Sequence, residues 1–117
     1  MIIFDITNYT HTNFTRREIV SGDKEFEKEL FAIFSDNAHR NFIKMEDSIK
    51  NQDNNSWYMA SHAFKGAAAS IGAFGLSQLL EHAQQFPEES FEEKQLLLKK
   101  IHEEFRLVLE FINEETL

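Results

Sequence analysis

The chain has no cysteine, one proline and only four glycines in 117 residues. Without cysteine there is no disulfide framework and no thiolate metal site. So little Pro and Gly leaves few turns for a many-stranded sheet, which shifts the expectation toward helices. Positive charge is also scarce: 12 Lys and Arg face 20 Asp and Glu, for a net charge of −8. That balance argues against nucleic acid, whose partners carry a basic stripe, and against anionic membrane surfaces. No apolar run approaches the roughly 20 residues that a membrane span requires. The opening Met1-Ile2-Ile3-Phe4-Asp5 lacks the basic region and long apolar core of a signal peptide. A reducing, cytoplasmic setting is the expectation.

What is present is apolar periodicity, with twelve Phe to fill one aromatic-rich core. Residues 1–13 read as an arm, and 14–117 as a single helical domain. A short extra helix fits at 14–20, stopped by Ser21-Gly22, with Asp23 as N-cap of the next. From about 24 to 51, Phe26, Leu30, Phe34, Ala38, Phe42, Met45 and Ile49 form one stripe, widened by Phe31, Ile33 and Ile43. Residues 51–55 are a polar loop, and a second helix is expected from Ser56 to Ile71. Gly72-Ala73-Phe74-Gly75 reads as a turn, Leu76 to Phe86 as a third helix closed by Pro87, and Ser90-Phe91-Glu92-Glu93 as a capping box. The last helix carries Leu98, Ile101, Phe105, Val108 and Ile112 at spacings of 3, 4, 3 and 4. Four amphipathic segments with short polar connections specify an all-α, antiparallel four-helix bundle with a short extra N-terminal helix or arm.

The most informative segment is His62-Ala63-Phe64-Lys65-Gly66-Ala67-Ala68-Ala69-Ser70-Ile71-Gly72-Ala73. Trp57, Ala60, Phe64, Ala67 and Ile71 form an apolar seam at about 140–220° from His62 on a helical wheel. Lys65, Gly66, Ala69 and Ala73 fall within about 60° of His62 and share its outward face. A glycine inside a helix costs about 0.5–1 kcal/mol relative to alanine, so Gly66 suggests a need for the missing side chain. The surface is suited to a large partner that must approach the ring closely. An antiparallel hairpin reversing near Ala73 places Gln84 level with His62, where it could bond Nδ1 and leave Nε2 facing outward.

His62-x-x-Lys65-Gly66, the following small residues and Gly72 resemble the histidine-containing phosphotransfer (HPt) domain of multistep phosphorelays. The likeness runs from about residue 22 through Gln84, and loosely to the C-terminus. It extends to the phosphotransfer domain of chemotaxis kinases. The resemblance implies that His62 accepts a phosphoryl group from a receiver-domain aspartyl phosphate and passes it to another receiver aspartate in two-component signalling. Lys65 would stabilise phosphoryl charge and Gln84 would orient the imidazole. Tyr58, Gly66, Ala69 and Ala73 would form the docking face. Expected partners are response-regulator receiver domains or a hybrid sensor histidine kinase. The Mg2+ for the chemistry belongs on the receiver, with no cofactor on this chain.

The chemistry is reasonable for the residue type, because a neutral imidazole is a competent nucleophile near neutral pH. No Gly-rich nucleotide loop or Walker pattern occurs, so the chain reads as a phosphoryl carrier rather than an ATP-dependent kinase. His11, His39, His82 and His102 read as solvated, and no two histidines have the i, i+4 spacing of a helical zinc site. Two other readings are a helical adaptor whose His62 never reacts and a piece of a larger sensor or chemotaxis kinase. The chain starts at Met1 and closes its last helix near its end, which favours a free-standing carrier, by default a monomer.

Overall fold

In the computed structural model, residues 24–116 are described, and they form four helices with no strand among them. These are α1 (Lys24–Lys50), α2 (Asn54–Ser70), α3 (Phe74–Gln85) and α4 (Phe91–Thr116). The expected arm at 1–13 and short helix at 14–20 lie outside the described residues. Each helix packs on the next, and α4 returns to α1, which closes a four-helix bundle around one core. No helix among the described residues is long and apolar enough to cross a membrane.

Local chemistry sets where each helix stops. At the end of α1, Asp53 N–H donates to Ser48 O at 2.9 Å and Gln52 N–H to Ile49 O at 3.2 Å. This is a Schellman closure, and Gln52 takes its left-handed position at φ 54°. Asp53 then caps α2: its carboxylate accepts from Ser56 N–H at 3.0 Å and from Ser56 Oγ at 2.7 Å. These bonds hold the Asp53 carboxyl below its ordinary value of 3.8. The cap draws Asn54 and Asn55 into the first turn of α2, so the polar loop is shorter than the sequence suggested. The same closure ends α2, with Ala73 N–H on Ala68 O at 2.9 Å and Gly72 N–H on Ala69 O at 3.0 Å. Here glycine holds the left-handed position, at φ 81°. Phe74 and Gly75, expected in that turn, belong to α3 instead. Ser90 Oγ accepts from Glu93 N–H at 3.1 Å, the forward half of the expected capping box at α4.

The core follows the two cleanest stripes. Trp57, Ala60, Phe64 and Ile71 of the α2 seam are buried, Ala67 is partly covered, and all five α4 positions from Leu98 to Ile112 are buried. Phe105 meets Phe34 and Phe64 edge-on, with centroids 6.1 and 5.6 Å away. The fully buried Trp57 also ties α2 to α3: its Nε1–H donates to Ala83 O at 3.0 Å. Ala83 lies in the last turn of α3, whose carbonyls lack helical donors, so the indole serves as a C-terminal cap. Lys94 lies across the same ring, 5.1 Å from its centroid, and donates to Asn54 Oδ1 at 2.7 Å. Burial pulls the Lys94 pKa below the usual lysine range. Together these contacts fix α2 against both α3 and α4.

The α1 stripe is narrower than expected. Phe31, Phe34, Ala38, Met45 and Ile49 are buried, but Phe26, Ile33 and Ile43 are exposed. From the centre of the buried arc, Ile43 stands about 160° round the helix, Ile33 about 120° and Phe26 about 100°. Polar Asn41 and Ser48 occupy the arc that those apolar residues do not reach.

Candidate functional site

The site is built on α2, whose core-facing side is set by Trp57, Phe64 and Ala68. The opposite side carries His62, exposed at mid-helix. The imidazole makes no hydrogen bond among the described residues. Its ring neighbour is Tyr58, one turn earlier, with the ring planes 6° apart and centroids separated by 6.3 Å. Tyr58 is itself exposed, as is Met59 beside it.

One turn beyond His62 the surface is bare. A Cβ built on Gly66 would meet nothing within 4 Å. Ala63 and Ala69 are also exposed. Packing among the described residues therefore gives no reason for glycine at this position. Ala73 is different. It was expected on the same outward face, but the structure buries it completely. The α-helical wheel cannot be extended that far, because α2 ends at Ser70 and the turn at Gly72 folds Ala73 inward.

Lys65 leans toward α3, with Nζ 3.7 Å from Glu81 Oε1. This ion pair marks the register of the α2–α3 hairpin. Three residues back on α2 and three forward on α3, the same register brings His62 level with Gln84. The two side chains are not hydrogen-bonded. Gln84 Oε1 is instead enclosed without a donor among the described residues. The expected Gln84–His62 bond is thus absent, although the register that motivated it is present. On the other flank of His62, a groove of about 410 Å3 runs between α1 and α2, lined in part by Asn41, Lys44, Asp47, Met59 and Ala63.

Sequence reasoning missed Glu81 and Met59. Met59 lies about 60° from His62 on the helical wheel, as far round as Lys65 on the other side, so its signal is present in the spacing. Glu81 pairs with Lys65 in the same register that sets Gln84 level with His62, so its signal lies in the hairpin spacing.

The remaining described histidines are more engaged than solvated surface residues. His82 Nε2 lies 3.1 Å from Glu89 Oε1, and its ring is 4.8 Å from that of Phe86. Glu89 is therefore not merely part of a solvated acidic run. Its hydrogen bond and like charge push the Glu93 carboxyl up. His39 and His102 are exposed, yet their rings rest on Phe105 and Phe42 at 5.1 and 5.2 Å. Among the described residues, no three His, Asp or Glu side chains form a group that could hold a metal ion. His11 lies outside them.

No protein-family model, curated protein or solved structure matches this chain.

Proposed function

We propose that this bundle is a phosphorelay intermediate, carrying a phosphoryl group on His62 between receiver-domain aspartates. The observation that carries the reading is the pairing of an outward imidazole with a helix glycine that packing among the described residues does not require. A folded receiver must bring an aspartyl phosphate within about 3 Å of Nε2, and side chains around the ring would obstruct it.

In the transfer, the Nε2 lone pair attacks phosphorus. The Nε2–P bond forms, the bond from phosphorus to the aspartyl oxygen breaks, and the carboxylate leaves with that electron pair. Nδ1 keeps its proton. The reverse step on a second receiver regenerates the carboxyl phosphate. Phosphoryl transfer needs chiefly alignment and charge stabilisation. Lys65 would supply positive charge to the phosphoryl oxygens, and the receiver would supply the acidic pocket and Mg2+. Gln84 brings an acceptor level with His62, and the Nδ1–H is the donor it would take. Tyr58, Met59 and the bare strip at Gly66 and Ala69 would meet the receiver.

The test is incubation with a phosphorylated receiver, followed by mapping of the label. An acid-labile, base-stable phosphate on His62 is expected, with none from ATP alone and none on His62→Gln. Efficient labelling of His62→Gln would overturn the assignment. No labelling with any of a panel of receivers would favour the adaptor reading, and labelling by a separate kinase domain would favour membership of a larger kinase.

A further inference from the structure

Lys65 is not waiting free beside His62. Its ammonium is 3.7 Å from Glu81 Oε1, beyond the roughly 2.7–2.9 Å of a charge-assisted hydrogen bond. The pair is held by attraction across the α2–α3 interface rather than by a directed bond. The Lys65 side chain is 25% exposed and that of Glu81 51%, so solvent weakens the attraction. Gln85 Nε2 also reaches Glu81 Oε1, at 3.4 Å, and tethers the carboxylate to its own helix. The lysine, a point charge on a flexible stem, is the member free of any other hydrogen bond among the described residues and able to turn to a new anion. Lys65 follows His62 by three residues, placing both on one side of α2 a turn apart.

Building on the reading of His62 as phosphoacceptor, we propose that Glu81 is a positioning residue: it holds Lys65 while His62 is empty and yields it to the phosphoryl group. A phosphoryl group carries close to two negative charges near neutral pH, against one on Glu81, so it wins the lysine when it arrives. Glu81 remains as a competitor for the lysine. It keeps the phosphoryl group less firmly held than Lys65 alone would. That suits a carrier, which must release what it accepts.

The test needs no receiver. Phosphoramidate loads histidine directly: Nε2–P forms, the P–N bond breaks, and ammonia leaves as ammonium with the imidazole proton. The 31P resonance that disappears in His62→Gln identifies the His62 adduct, and its titration reports the charge around the phosphoryl oxygens. Glu81→Gln should lower the proton affinity of the phosphoryl group about 1.5- to 5-fold, the range for a partly exposed ion pair. Lys65→Met should raise it. In the Lys65→Met background, Glu81→Gln should have little further effect, since its route is through the lysine. High salt should shrink the Glu81→Gln effect. An unchanged titration in Glu81→Gln, or an equal shift with and without Lys65, would overturn the proposal. Failure of His62 to load while other histidines do would instead remove the phosphoacceptor reading, and this inference with it.

Discussion

At Gly66, two physical demands point in opposite directions. Helix propensity disfavours glycine by about 1 kcal/mol, and the open space around it would accept a side chain without clash. Gly66→Ala should therefore raise the melting midpoint by several degrees, since about 1 kcal/mol moves a domain of this size by roughly 4–8 °C. Gly66→Arg should also stay folded, yet its side chain would fill the approach to His62 and block transfer. Circular dichroism melting beside transfer kinetics separates the two effects. Undiminished transfer in the arginine variant would place the docking face elsewhere. This part of the site was legible because an interior helix obeys the wheel closely. Ala73 was not legible, because its burial depends on a turn that breaks the 100° step. The empty hydrogen bond at Gln84 was equally hidden: register places two side chains level, but rotamers decide whether they touch.

The two Schellman closures differ in one residue, and that difference can be measured. Gly72 takes a positive φ without penalty, whereas Gln52 takes one with a Cβ in place. Gln52→Gly should stabilise the bundle by about 0.5–1 kcal/mol, and Gly72→Ala should destabilise it by about 1 kcal/mol or more. Chemical denaturation with unchanged m-values would check both. At the scale of elements, the α2 and α4 seams were readable because each holds a strict alternation of 3 and 4 over four turns. The α1 stripe misled because apolar residues occur nearly all round that helix, and neighbours rather than periodicity decide which of them are covered. Asn54 and Asn55 read as loop by composition, but the Asp53 cap made them helix. Helix ends were thus set by a few local hydrogen bonds that composition does not reveal.

At the scale of the whole molecule, the acidic balance includes a half-buried carboxyl with an unusual titration. Partial burial pushes Glu104 of α4 up to about 7 from an ordinary 4.5, and its Oε2 is enclosed without a hydrogen-bond partner among the described residues. A raised carboxyl binds its proton more tightly in the folded state than in the unfolded one. Its contribution thus favours the fold at low pH and is lost as pH rises from about 4.5 through about 7. Glu104→Gln should therefore raise the melting midpoint at pH 8 clearly more than at pH 5. Asp53 acts in the opposite sense, but only in acid below its ordinary 3.8, so it leaves that window untouched. Equal gains at both pH values would show that Glu104 does not titrate in this range. A consequence of a different kind follows from where His62 stands. The core covers the inner side of α2, so the imidazole is reached from one direction only. On the proposed reaction, donor and recipient must then take turns at a single berth and never hold it together. Such a courier gains nothing from gripping either partner tightly, because each delivery waits on the departure of the last visitor. Its pace would be governed by dissociation, and weak, brief encounters would serve it best.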